Sequence, residues 1–116
     1  MRLKSEFWVK WYLRQASSAG GMGVVVRHGD DTAGAIFIKV NRLDGTADLY
    51  GPAPPALDGG DGERRFQRLT PHAPPSEADA DALLAREMRF DSDLWVIEVE
   101  SPSGSHFLDG WILATP

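Results

Sequence analysis

Four carboxylates, Asp91, Asp93, Glu98 and Glu100, fall within ten residues in the last third of the chain. Clustered carboxylates hold magnesium and other hard cations, and such ions serve phosphoryl chemistry. With Lys39 brought alongside, the set would make a nuclease-like site. The plainer reading is that Asp91 and Asp93 shape a helix-to-strand turn, while Glu98 and Glu100 form the wet face of an amphipathic strand. No lysine follows Glu98-x-Glu100 at nuclease-like spacing, and acidic pairs on exposed faces are common. The plainer reading is preferred.

A second constellation is basic. In Arg64-Arg65-Phe66-Gln67-Arg68, a strand places Arg64, Phe66 and Arg68 on one face, where an aromatic ring can stack on a base and guanidinium groups can grip phosphates. The competing reading puts Phe66 in the core, with the arginine stems extended over it to water. The acidic total of the chain favours the second. His28, His72 and His106 show no ligand spacing such as His-x-x-x-His, and no Gly-x-Ser-x-Gly elbow anchors a hydrolase triad. Gly59-Gly60-Asp61-Gly62 lacks the Lys-Ser/Thr of a phosphate-binding loop. These residues read as ordinary surface and loop positions.

The elements that must position these residues centre on Ala35 to Tyr50, where two strand-like runs flank Asp44-Gly45. That dipeptide suits the positive φ at both central positions of a type I′ turn. Ile36, Ile38 and Val40 alternate with Ala35, Phe37, Lys39 and Asn41; Ala47 and Leu49 alternate with Thr46, Asp48 and Tyr50. Such alternation gives a sheet one dry and one wetter face.

Ser5 to Ser17 fits a helix through the i,i+4 pairs Phe7/Trp11, Trp8/Tyr12 and Val9/Leu13, with Ser5 as cap and Gly20-Gly21 as stop. A strand with Phe7, Val9, Trp11 and Leu13 on one face also fits. The Arg-Gln-Ala run and the charge order favour the helix. Met22 to His28 reads as a strand, Gly29 to Gly34 as a turn, and Gly51 to Gly62, with four glycines and three prolines, as a loop expected to be the most mobile internal segment. Arg64 to Leu69 reads as a further strand. Ser76 opens a second helix running to about Phe90, with a capping-box-like Ser76-x-x-Asp79 and an apolar stripe of Ala80, Leu83, Leu84 and Met88. Leu94 to Ser101 and His106 to Leu113 complete the set as strands. The order α-β-β-β-β-α-β-β predicts an α+β fold: a mostly antiparallel sheet of five to six strands with two helices packed on it, covering one face.

The chain of 116 residues fits a single domain spanning 1–116, and its 42% hydrophobic and 25% charged composition is that of a globular protein. No apolar run is long enough to span a bilayer, and the N-terminus lacks the features of a secretory signal, so no membrane role is expected. The absence of cysteine excludes disulfides and thiolate metal sites and points to the cytoplasm. A net charge of −5 argues against sequence-independent nucleic-acid binding.

RLKSEFWVKWYLRQ, VVVRHGDDTAGAIFIKVNRLDG, AREMRFDSDLWVIEVES and GSHFLD together resemble DUF1491, a small bacterial family defined only as a domain of unknown function. The Gly29-Asp30 to Ala33-Gly34 turn and Asp91-x-Asp93-Leu94-Trp95 carry most of the resemblance, which covers nearly the whole chain. It implies a fold and a bacterial origin and carries no catalytic role.

The reading preferred on these grounds is a cytoplasmic binding or assembly module without catalysis and without a cofactor or metal. The alternatives are a small metal-dependent enzyme using Asp91, Asp93, Glu98 and Glu100, and a nucleic-acid binder using Arg64, Phe66 and Arg68. The expected partner is a second copy, because Phe7, Trp8, Trp11 and Tyr12 already spread over as much of a helix as one sheet face covers, and Val9 and Leu13 reach the far side. The competing account has Trp111 and Ile112 fold over that helix and close the core.

Overall fold

A computed structural model describes residues 2–54 and 63–112. The chain forms α1 (Ser5–Ser18), β1 (Met22–Arg27), β2 (Ile36–Asn41), β3 (Ala47–Pro52), β4 (Phe66–Arg68), α2 (Glu77–Phe90) and β5 (Trp95–Glu100). The five strands make one sheet in the order β1-β5-β2-β3-β4, antiparallel at every junction except β5–β2. The α+β fold with a mostly antiparallel sheet read from the sequence is the one observed.

The helices cover opposite faces of the sheet, not one. The reason lies in β2, β3 and β5, which are apolar on both sides. Ile36, Ile38, Val40, Tyr50, Ile97 and Val99 pack with Trp8, Val9 and Tyr12 of α1. Phe37, Leu49 and Val96 pack with Leu84 of α2 and with Leu94. Alternation in these strands therefore sorts residues between two dry faces, and Asp48 and Tyr50, expected on a wetter face, are buried.

Two helix ends show how local chemistry sets the boundaries. Ser76 caps α2 by accepting from the Asp79 N–H at 3.1 Å, as the capping-box spacing implies. Ser5 does not cap α1: it is the first helical residue, behind Lys4, which makes no side-chain cap. The N–H groups of Ser5 and Glu6 instead donate to the carbonyls of Thr32 and Asp31, so the Gly29–Gly34 turn does the capping. That turn is pinned against the entry to β5: the Asp30 N–H donates to the Asp93 carbonyl at 2.9 Å. A Cβ on Gly29 would lie 2.4 Å from the same oxygen, so only glycine lets the two backbones approach this closely.

The β2–β3 connection is longer than a two-residue type I′ turn. Positive φ falls on Leu43 (63°) and Gly45 (91°), not on Asp44. The Asp44 carboxylate accepts from the Thr46 N–H, and the Arg42 N–H closes the loop on the Thr46 carbonyl. The Gly45 carbonyl accepts from the Glu77 N–H at 2.8 Å, tying the turn to the start of α2.

The last apolar segment is not a strand. It makes one isolated bridge, Ile112 to Phe66, because Phe107 (φ 56°) and Gly110 (φ 83°) turn the backbone out of extension. Leu113 lies outside the described residues, as do residues 55–62 of the Gly/Pro loop with its Gly59–Gly62 run. The segment nonetheless packs on α1: Trp111 meets Trp8 edge-on at 6.0 Å and Trp11 at 5.3 Å. Trp8 and Tyr12 are fully buried. The aromatic face of α1 expected to meet a second copy is thus largely covered from within, leaving Phe7 exposed. Among the described residues, no helix is long and apolar enough to cross a membrane.

Gly45→Val tests the turn. No neighbour lies within 4 Å of the added Cβ, so the loss comes from forcing a β-branched residue to positive φ, and stability should fall by about 1–3 kcal/mol. An unchanged denaturation midpoint would show that Gly45 does not need this conformation.

Candidate functional site

The residues expected to stack and grip nucleic acid come together on the α1 face but are occupied there. Phe66 is buried with its ring centroid 5.0 Å from that of Trp8. Arg64 is 7% exposed and donates to the Leu3 carbonyl and to the Ser5 hydroxyl, each at 3.0 Å. Burial and the charge of Arg2 push its pKa down to about 10. Arg68 donates to Asp48 at 2.7 Å and lies over the Tyr50 ring. The shared face predicted for Phe66 and Arg68 exists, and the core covers it.

The four carboxylates separate. Asp91 ends α2 and accepts from the Asp93 N–H at 2.9 Å, the predicted helix-to-strand turn. Glu98 and Glu100 lie in the second half of β5, about 10 and 17 Å along the strand from its first residue, Trp95. Among the described residues no group of three or more His, Asp or Glu side chains is placed to hold a metal ion.

Glu98 instead faces Lys39, its neighbour in the β2–β5 register. The buried Lys39 ammonium lies 2.6 Å from Glu77, 2.8 Å from Asp81 and 3.4 Å from Glu98. Its three N–H donors match three carboxylates. Burial opposes the charge, but the hydrogen bonds to Asp81 and Glu77 outweigh it, and the pKa is raised. A lysine held this firmly as ammonium is no general base, since that role needs a lowered pKa. Lys39 does meet one of the candidate carboxylates, in a neutralising cluster. The sequence signal that could have found it is the i,i+4 spacing of Glu77 and Asp81 on one side of α2.

The opposite face carries the converse arrangement. Asp48 is fully buried and is bridged by Arg42 at 3.0 Å and Arg68 at 2.7 Å. The Thr70 hydroxyl donates to it weakly at 3.4 Å while accepting from the Leu49 N–H. Beside this cluster stands Tyr50, whose hydroxyl is buried with no well-formed hydrogen bond among the described residues. Burial raises its pKa, and the Arg68 charge opposes the rise. The His106 ring meets the Tyr50 ring edge-on at 5.2 Å, and its carbonyl accepts from the Tyr12 hydroxyl. The sequence places Asp48 on a wet face and His106 at the surface because Arg68, Tyr12 and Tyr50, which meet them, are distant in the chain, and the Arg42–Asp48 pair spans a turn longer than the one expected.

The His106 Nδ1 accepts from the Leu108 N–H at 2.8 Å, so the neutral ring carries its proton on Nε2. Burial holds the imidazole below its ordinary value, the Asp109 charge opposing and Arg68 adding to the effect. His28 makes the one described His–Asp pair, with Asp31 at 2.6 Å on the surface.

The remaining exposed feature is an edge. On one side of the sheet, β4 is met at Phe66 by the C-terminal segment, with the Phe66 N–H donating to the Trp111 carbonyl at 2.7 Å. On the other side β1 is the terminal strand, paired only with β5 among the described strands. Its side chains Met22, Val24 and Val26 are 66%, 56% and 59% exposed. A bulge between Val25 and Arg27 twists its end.

Two measurements check the buried charges. Asp48→Ala leaves two guanidinium groups without their anion; as both arginines keep some solvent contact, destabilisation should lie near the lower end of the 3–5 kcal/mol range, at about 3 kcal/mol. A loss below about 0.5 kcal/mol, typical of a surface position, would contradict the network. His106 gives a pH dependence. Its folded pKa lies below the ordinary 6.5, so below that pH the unfolded chain binds a proton that the folded chain refuses. The stability His106 contributes is complete above pH 6.5 and falls as the pH drops toward its folded pKa. Thermal melts from neutral to mildly acidic pH should show a shallower decline in His106→Gln than in the parent; parallel curves would refute this.

The fold and these clusters can be set beside known proteins. The family model described as "Protein of unknown function (DUF1491)" matches residues 3–109. No curated protein matches the chain. Among solved structures, the crystal structure of a DUF1491 family protein from Caulobacter crescentus CB15 is 35% identical, covers 98% of this chain and 100% of its own, and superposes with a TM-score of 0.77. An NMR structure of a DUF1491 family protein from the same organism is 37% identical over 98% of this chain and 99% of its own, with a TM-score of 0.77. The solution structure of protein Atu0922 from A. tumefaciens is 40% identical, with 100% and 98% coverage and a TM-score of 0.81. The sequence therefore belongs to the DUF1491 family, and its fold is the one solved for that bacterial family.

Proposed function

We propose that this protein is a non-catalytic assembly module, a single α+β domain that pairs with a second copy through β1. The observation that carries the reading is the asymmetry of the sheet: β4 is only three residues long and is bridged at Phe66 by the C-terminal segment, while the six-residue β1 presents apolar side chains on an open edge. An unpaired apolar strand is a ready template for strand addition, and natural sheets otherwise blunt such edges with charge, proline or a bulge; the bulge of β1 is confined to its last residues, leaving Met22 to Val25 regular. β1 carries one charge, Arg27, at its end.

A second copy is the partner that fits best. An antiparallel strand pairs with its own copy about a two-fold axis, which closes the contact and stops further growth. Self-pairing sets Met22, Val24 and Val26 of the two copies against one another. Arg27, the one charge on the strand, is turned inward, its guanidinium donating to the Ser92 carbonyl of its own chain at 2.9 Å, so it does not oppose the pairing. The contact differs from the one expected on α1, whose aromatic face is covered by Trp111; exposed Phe7 is what remains of it.

The absence of catalysis in this reading is supported by the state of the reactive groups. Lys39 is held as ammonium, and the Ser103 and Ser105 hydroxyls bond each other at 3.0 Å. His28 and Asp31 form a surface pair 2.6 Å apart. None of these contacts brings a base to a nucleophile.

Light scattering after size exclusion should give twice the monomer mass at micromolar concentration. Val24→Lys places a charge on an exposed edge position, so the monomer should still fold, and it should shift the mass to that of one chain. A parent protein that runs as a monomer, or a variant that still dimerises, would sink the proposal.

A further inference from the structure

Two concavities adjoin beside the C-terminal half of α1. The larger, about 460 Å³, is lined by Ser103, Ser105, His106 and Asp109, and the smaller, about 250 Å³, by Trp11, Gln15 and Trp111. Ala19, Phe107 and Asp109 line both, so the two form one groove with a polar half and an aromatic half.

The polar half is held in place from within. Ser103 bonds Ser105 at 3.0 Å, and the Ser105 N–H donates to the Ser101 hydroxyl at 2.9 Å. The Leu108 N–H fixes the His106 ring and leaves Nε2 as the proton carrier. Phe107 takes a φ of 56°, a conformation that a bulky residue adopts only where its surroundings enforce it, and such strain gathers at binding sites. Asp109 and Gln15 are exposed, whereas Trp11 and Trp111 are half-buried with ring centroids 5.3 Å apart.

The chemistry of this lining selects its ligand. Among the described residues no lysine or arginine lines either concavity, and Asp109 contributes a negative charge. A phosphorylated or carboxylated ligand would meet repulsion from Asp109, and the one cation close by, Arg42 beside Gly104, is already bridged to Asp48. The carboxylate accepts, the Gln15 amide and the serine hydroxyls both donate and accept, and the neutral imidazole donates. A ligand rich in hydroxyl groups satisfies all of them, because each hydroxyl also works both ways. The part-exposed indole rings of Trp11 and Trp111, tilted 60° to one another, offer apolar surface to the C–H groups of a pyranose ring.

We propose that this groove binds a neutral saccharide, with Asp109 and Gln15 taking its hydroxyl groups and Trp11 and Trp111 its ring face. This site is independent of the β1 edge and stands on different residues.

The test is a titration of the ¹⁵N-labelled protein, followed by NMR, with glucose, N-acetylglucosamine and maltose to about 50 mM, a range that spans the millimolar affinity expected of a shallow groove. The Trp11 and Trp111 indole N–H signals and the amides from Ser103 to Asp109 should shift and saturate with at least one sugar. Asp109→Ala, at an exposed position, should keep the rest of the spectrum and bind about tenfold more weakly, as the loss of one charge-assisted hydrogen bond requires. Failure of all three sugars to saturate these signals would overturn the proposal, as would equal binding by Asp109→Ala. Tighter binding of glucose 6-phosphate or adenosine than of the neutral sugars would overturn it as well.

Discussion

The central hairpin has no wet side, and this constraint governs the rest of the structure. With α1 on one face and α2 on the other, every polar side chain in the middle of β2 and β3 must be neutralised inside the fold. Lys39 and Asp48 meet this requirement in mirror fashion: the cation draws three carboxylates on the α2 face, and the anion draws two arginines on the α1 face. They sit one register step apart, Lys39 opposite Leu49 and Val40 opposite Asp48. A slip of the hairpin by one residue would move both charges to the wrong faces. The two clusters add specificity of register to the apolar burial that stabilises the sheet, while their own desolvation offsets much of their Coulombic gain.

The same clusters decide where chemistry is absent. Residues that looked reactive as a set, the acids near the end of the chain and the basic strand, are drawn into neutralisation and packing. Glu98 goes to Lys39, Arg68 to Asp48, and Arg64 to the entry of α1. The surface left to interact is set by what the core does not claim: the outer edge of β1 and the groove between α1 and the segment from Ser103 to Trp111.

Much of the fold was legible in the sequence. The α2 cap, its apolar stripe, the alternation in β5 and the Gly20 stop depend on neighbours within a few residues, where spacing is informative. What escaped was set by distant pairing. Nothing local to Ile36–Asn41 announces that both its sides will be dry, because that follows from the insertion of β5 and the arrival of α2. The turn was misread because Asp44-Gly45 suits a two-residue hairpin, whereas contact with the start of α2 favours a longer loop in which the Gly45 carbonyl is used. His106 was passed over for the same cause: its partners, Tyr12 and Tyr50, are brought to it only by tertiary folding.

The position of β5 has a consequence for how the chain is made. It is the last strand in sequence, yet it lies between β1 and β2. Until it emerges from the ribosome, β1 has no partner and β2 can pair only with β3, so a growing chain carries unpaired strands that the finished sheet buries. Met22 must wait for Glu100. Closure over such a separation is slow relative to a local hairpin, and the interval is when open edges on neighbouring chains can capture one another. The order of synthesis thus gives the nascent chain more open edges than the finished sheet, and arrival of a single six-residue strand closes the inner edges of β1 and β2 while the outer edge of β1 stays open.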